Sequence, residues 1–118
     1  MTKPSLLKHV LDLSALPAAA LPDDAQRMAQ LSLFDWIVVS LAGSNQPLAK
    51  IMRDFVVAEG GNPIATVIGS DVKLPPRAAA LANGTISHAL DYDDTHFAYI
   101  GHPSVAIYPA ALAVAEEA

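Results

Sequence analysis

Pro22-Asp-Asp-Ala-Gln-Arg-Met-Ala-Gln-Leu-Ser-Leu-Phe-Asp-Trp-Ile-Val-Val-Ser-Leu-Ala-Gly43 decides the fold class. A proline followed by two acids is a helix start. Proline's fixed φ suits the first turn, and the acids meet the positive end of the helix dipole. From there Met28, Leu31, Phe34, Ile37, Val38 and Leu41 recur at helical spacing, with Asp35 among them, and predict a broad apolar surface. Gly43 stands where a C-cap glycine is expected. Asp35 reads as half-exposed or paired, with Arg27 or Lys50 as partners, and is assigned no chemistry.

Upstream, Leu6, Leu7, Val10, Leu11 and Leu13 give residues 5–14 the pattern of a short amphipathic helix, and an alanine-rich link leads to Pro22. Downstream, Ser44-Asn-Gln-Pro47 is a turn, and Pro47 opens a helix reaching about Glu59 with Leu48, Ile51, Met52, Phe55 and Val56 on its apolar side. Gly60-Gly-Asn-Pro63 stops it. Ile64 to Ile68 is short and β-branched, so it reads as extended. Walker spacing and its lysine are both missing from 60–70, which removes a phosphate loop. Pro75-Pro76 opens a helix expected to run from Ala78 toward Asp94. Gly84 inside it costs about 1 kcal/mol against alanine, which calls for a bend, a close neighbour or a ligand. The last helix, from Pro103, is apolar almost all round, the mark of a buried helix. It runs out at Glu116-Glu-Ala118 with no cap, as a helix cut through would. The expectation is an all-α or mainly α fold, one partial helical domain over residues 1–118, with one short extended segment near 62–70.

Bulk composition sets the setting. Hydrophobic residues make up 53% of 118, and mean hydropathy is +0.34, high for so small a chain. The excess implies apolar surface meant for the rest of a subunit or for a second copy, and a homodimer is expected. No apolar run reaches the ~18 residues of a membrane span, and His9 and Asp12 interrupt the one early stretch that resembles a signal peptide. The expected compartment is the cytoplasm. Cysteine is absent, which excludes disulfides and thiol catalysis. A net charge of −5 without a basic patch makes nucleic acid an unsuitable partner.

The chemistry lies between Asn83 and Ser104. Three of the four histidines (His88, His96, His102) stand there with Asp91, Asp93 and Asp94. Arg77 is the last charged residue before His88, and Glu116 the first after His102. If the helix continues to about Thr95, then His88, Asp91 and Thr95 share one face at i, i+3 and i+7, Asp94 lies beside them, and Asp93 points elsewhere. Asp91 is then expected to be buried. Negative charge at a helix C-terminus opposes the dipole by roughly 0.3–1 kcal/mol. The ordinary reading of Asp93 and Asp94 is that they cap the next turn. His102 precedes Pro103 and is expected at or just before the next N-cap, turned toward Asp91. A metal set of His88, Asp91, His96 and His102 lacks HExxH or Cys/His ligand spacing, so no metal is expected.

Asn83-Gly84, then His88-Ala-Leu-Asp-Tyr-Asp-Asp-Thr-His96, then His102-Pro-Ser104 resembles the signature of the MmgE/PrpD family, which includes 2-methylcitrate dehydratase, cis-aconitate decarboxylase and iminodisuccinate epimerase. Asp35 to Gly43 and Ala65 to Gly69 resemble the family's N-terminal region. The resemblance covers nearly the whole chain but only the start of the family's fold. It implies the N-terminal portion of a helical domain, with a smaller α/β domain later. It also implies a cofactor-independent lyase or isomerase, 2-methylcitrate dehydratase-like, moving a proton next to a carboxylate of a small polycarboxylate. By motif, Asp91 and His102 carry over as acid/base candidates and Thr95 as a hydrogen bond to substrate, with His88, Asp94 and Asn83 as substrate-binding candidates. The loop from Thr95 to His102 is a residue longer than in some relatives. The rival expectation is a non-catalytic helical oligomerisation or scaffold fragment. None of the seven lysines and arginines falls between Asn83 and Ala118. The cations needed to hold a polycarboxylate are therefore expected from later residues of a longer parent, with Arg77 or Arg53 folding back as the alternative, and the 118-residue chain alone is expected to be inactive.

Overall fold

A computed structural model describes residues 5–98 and 100–118. It is mainly helical, 65% helix, with a two-strand antiparallel sheet. Contacts divide the chain into two compact units, Met1–Leu31 and Ser32–Ala118. No helix among the described residues is long and apolar enough to cross a membrane.

The first unit holds α1 (Leu6–Ser14), a 3-10 turn (Ala18–Ala20) and the start of α2 (Asp23–Gly43). Ser5 caps α1 by accepting from the Lys8 amide at 3.3 Å, and Lys8 pairs with Asp12 one turn on. The apolar residues Leu6, Leu7, Val10, Leu11 and Leu13 are all exposed. Asp23 and Asp24 occupy the first turn of α2, where the dipole favours them.

The second unit holds the rest of α2, then α3 (Pro47–Glu59), β1 (Ala65–Thr66), β2 (Lys73–Leu74), α4 (Pro76–Ser87) and α5 (Pro103–Glu117). α4 is its axis, packed chiefly against α5 and α3. Its buried side chains are small (Ala78, Ala79, Ala82, Asn83, Ser87), with Ile86 the one large exception. Small side chains let the neighbouring backbones approach. A Cβ added to Gly84 would lie 3.3 Å from the Val105 carbonyl oxygen of α5, so the close neighbour is α5. A Cβ on Gly43 would lie within 2.1 Å of the Ile86 carbonyl oxygen. Gly43 is the last residue of α2, and its role is this approach to α4 rather than the left-handed cap expected of it. Val56, Ala65, Val67, Leu74 and Ala113 complete the core around α4.

Two polar side chains lock the sheet to the helices. Asn83 is 1% exposed; its amide oxygen accepts from the Ile68 amide and its amide nitrogen donates to the Thr66 carbonyl, both at 2.9 Å. Glu116, from α5, accepts from the Thr66 amide at 2.7 Å and from the Thr66 hydroxyl at 2.6 Å. These bonds hold its carboxyl below the ordinary value of 4.5, the hydroxyl contributing most.

Three expectations are corrected. The side of α2 that packs carries Trp36, Val39, Ser40 and Gly43, while Phe34, Ile37, Val38 and Leu41 remain exposed. Gly43 meets α4 and Trp36 packs on Tyr108 of α5, so periodicity finds the apolar stripe but not which side the neighbours take. α5 is packed along one side only: Ser104, Pro109 and Ala113 are buried, while Ile107 and Val114 are more than half exposed. Lys50 pairs with Asp54 at 2.6 Å, one turn along its own helix, not with Asp35.

Candidate active site

α4 ends seven residues earlier than expected, and that determines the site. His88 is its C-cap, the Asp91 amide donates to the His88 carbonyl at 3.1 Å, and Asp91 adopts a left-handed backbone with φ 54°. Aspartate tolerates that conformation better than most residues. The turn avoids three carboxylates at a helix C-terminus, the arrangement the dipole opposes. The chain then folds back over the end of α4 and closes a small bridge between His96 and Gly101, whose carbonyl accepts from the His96 amide at 2.9 Å. Tyr99 lies outside the described residues.

Within this fold-back the roles of the acids reverse. Asp91, expected to be buried, has a side chain 77% exposed. Asp93, expected to point away, is buried between the two imidazoles, its side chain 1% exposed. His88 Nδ1 donates to Asp93 Oδ1 at 2.8 Å. His102 Nδ1 donates to the Asp93 backbone oxygen at 3.2 Å, with Asp93 Oδ2 at 3.4 Å. A carbonyl and a carboxylate only accept, so both rings are assigned the tautomer with the proton on Nδ1. In the neutral rings both Nε2 atoms then carry a lone pair, and each lies 3.7 Å from Asp91 Oδ1. The rings stand 4.8 Å apart between centroids, tilted by 60°.

The remaining residues serve mainly to hold this arrangement. His102 is the N-cap position of α5, as its place before Pro103 predicts, but its side chain makes no capping bond. Asp94 does that work from the loop: its carboxylate accepts from the Ser104 amide at 3.1 Å and the Ser104 hydroxyl at 2.7 Å. That is the capping role. Asn83 bonds the Thr66 carbonyl of β1 and the Ile68 amide just beyond it. The Thr95 hydroxyl is 3.5 Å from the Asp93 carbonyl, at the limit of a hydrogen bond. Burial, and then the Asp94 carboxylate, pushes the Tyr108 phenol upward; its ring packs on Trp36 with centroids 5.8 Å apart.

Beside His88 a cleft of about 490 Å³ runs between α4 and α5, lined by Leu81, Gly84, Thr85, Val105, Ala106 and Pro109 among others. His88 is the one titratable group on its wall among the described residues. Arg53 does not fold back toward the site: it donates to the Ser44 carbonyl at 3.0 Å.

Sequence reasoning missed Asp93 because a helix was extended past Ser87, which turns residue 93 away from residue 88. The adverse dipole interaction of Asp91, Asp93 and Asp94 was the available signal for an earlier stop.

Comparison with known proteins agrees with the motif. Residues 13–118 match the model of the MmgE/PrpD N-terminal domain. The chain is 30% identical over 102 residues to cis-aconitate decarboxylase of Homo sapiens, covering 86% of this chain and 21% of that protein. It is 34% identical over 105 residues to cis-aconitate decarboxylase-like protein oryM of Aspergillus oryzae, with the same coverage. The mouse (Mus musculus) cis-aconitate decarboxylase is 31% identical over 97 residues, covering 81% of this chain and 20% of its own length. The chain thus spans about a fifth of the length of the curated relatives it matches.

Proposed function

Since the chain belongs to the MmgE/PrpD family, we propose that its protein is a cofactor-independent lyase acting on a small polycarboxylate, with proton transfer at a carbon next to a carboxylate. The observation that carries the reading is the buried Asp93, which orients His88 and His102 through their Nδ1 atoms and turns both Nε2 atoms toward Asp91. This is the arrangement of a general base: a positioned imidazole whose tautomer is set by a partner on its far nitrogen. His102 Nε2, on the better-shielded ring, takes or returns the proton. Asp91 stabilises the imidazolium so formed, and Thr95 donates to a substrate carboxylate. The names of the relatives favour loss of CO2 over water loss or epimerisation, and cis-aconitate over 2-methylcitrate, as the first reaction to test. Cations that hold the substrate come from outside residues 83–118, which have none. A homodimer in the cytoplasm completes the reading, supported by the exposed apolar sides of α2 and α5.

The test is turnover of cis-aconitate and 2-methylcitrate by the full-length protein and by its Asp91→Asn and His102→Gln variants. Folded variants with turnover lowered at least a hundredfold support the reading; folded variants with unchanged turnover refute it. The exposed Phe34, Ile37 and Leu41 favour a second reading, a helical scaffold. It predicts no turnover of either acid, whereas both readings predict an assembly state that changes with Phe34→Asp.

A further inference from the structure

Three electron-rich atoms converge in the site with no hydrogen-bond donor among them. With both Nδ1 protons committed, His88 Nε2, His102 Nε2 and Asp91 Oδ1 face one another through lone pairs, each nitrogen 3.7 Å from the oxygen. In the neutral rings, lone pairs so arranged repel unless a proton or a metal ion sits between them. We propose that this trio binds a divalent transition metal ion of zinc's class, and that the ion inhibits the enzyme.

The donor set fits such an ion. Two neutral imidazoles and one carboxylate suit zinc and its neighbours. With metal–ligand bonds of about 2.1 Å, a tetrahedral site has an edge of about 3.4 Å. The observed 3.7 Å separations need to contract by only about 0.3 Å. The four carboxylate and imidazole groups of the cluster offer ligand atoms all within 4.8 Å of one another. Asp93 fills the position expected of an outer carboxylate, bonded to the far nitrogen of a ligating histidine and raising its donor strength. Its other oxygen, Oδ2, is buried with no hydrogen-bond partner among the described residues and lies 3.4 Å from His102 Nδ1, so the same carboxylate backs both rings. Asp91 supplies reach, since its exposed side chain and left-handed backbone leave it free to close on the rings. The open side of the trio faces solvent, so a water completes the coordination.

Inhibition rests on the reading in the previous subsection: an ion held by His102 Nε2 removes the base from proton transfer. The experiment uses full-length protein stripped with EDTA. Cobalt(II), then zinc(II), are titrated while visible absorption and direct binding are recorded, and cis-aconitate turnover is followed in parallel. The expected result is one ion per chain, a tetrahedral cobalt spectrum abolished by zinc, and turnover that falls with the same midpoint and returns with EDTA. His88→Ala and His102→Ala each weaken zinc binding at least a hundredfold, and Asp93→Asn about 10–100-fold. X-ray absorption on the zinc-loaded wild type reads two imidazoles without relying on any variant that fails to fold. Active enzyme that binds no zinc, or zinc without imidazole ligands, overturns the metal site and leaves the lyase reading intact. Zinc bound by two imidazoles in a protein that turns over neither acid upholds the site and overturns the lyase reading with its inhibition.

Discussion

Replacing Gly43 by alanine tests the packing that carries the site. The added Cβ would lie within 2.1 Å of the Ile86 carbonyl oxygen and 3.2 Å from its carbon. Ordinary C···O contacts start at about 3.3 Å, so α2 and α4 must separate by roughly 1.2 Å at this point. The obstacle is backbone, which cannot rotate aside as a side chain does. Overpacking of a tight interior costs about 1–3 kcal/mol, and backbone relief places this case at the top of that range. Alanine's helix advantage over glycine, at most about 1 kcal/mol and less at a terminal position, offsets part of it. The net expectation is a destabilisation of about 2–3 kcal/mol. Urea unfolding measures it, with Gly84→Ala as the internal comparison. That Cβ meets the Val105 carbonyl oxygen at 3.3 Å, a contact a few tenths of an ångström of movement relieves, and the mid-helix propensity gain brings the balance near zero. Ile86 is two residues before His88, so Gly43→Ala also lowers turnover by displacing the end of α4. A Gly43→Ala protein as stable as wild type, with an unchanged denaturant slope, would refute the close approach of the two helices.

Asp91→Asn keeps the tolerance for φ 54° and removes the charge, so it stays as stable as wild type while turnover falls about 10²–10⁴-fold; Asp91→Ala adds a backbone cost of about 1–2 kcal/mol, and equal urea midpoints for the pair would contradict the backbone account. Asn83→Ala strands the Ile68 amide and the Thr66 carbonyl, and a loss of about 2–4 kcal/mol is expected by the same unfolding assay. Glu116→Gln tests pH linkage. Its folded pKa lies below 4.5, so its stabilising contribution is complete above the unfolded value and is lost as pH falls through the folded one. The stability difference between wild type and Glu116→Gln should therefore be constant above about pH 5 and shrink below it; a gap that widens in acid speaks against the bond to Thr66. Sedimentation of the full-length protein tests assembly, with a dimer expected and dissociation on Phe34→Asp.

Helices announced by proline and acid starts were legible in the sequence: Pro22, Pro47, Pro76 and Pro103 each stand at or beside a helix beginning. So was the extended excursion around Ala65, marked by β-branched residues and glycine boundaries. The end of α4 was not, because Ala89-Leu90 carries no breaker, and the turn depends on a left-handed aspartate that few rules flag. The histidines and acids of the site were visible as a charged island in an apolar stretch. Their division of labour was not, since the burial of Asp93 and the capping by Asp94 arise from contacts across the loop with His88, His102 and Ser104. The packed sides of α2 and α5 stayed hidden for a related reason: which side of an apolar helix is covered depends on contacts distant in sequence, such as Trp36 on Tyr108, and a hydrophobic stripe does not reveal those.

β1 is only two residues long, and its polar backbone is satisfied largely by side chains from distant helices. The Thr66 amide depends on Glu116 and the Ile68 amide on Asn83, across 50 and 15 residues of chain. The first bond needs α5 docked on the segment and the second needs α4, so this segment joins the structure late and leaves it early. Proton exchange at these two amides is then a clock for helix docking. Thr66 exchanges at the rate at which α5 detaches and Ile68 at the rate at which α4 does. Two resonances therefore separate the opening of one wall of the cleft from the other.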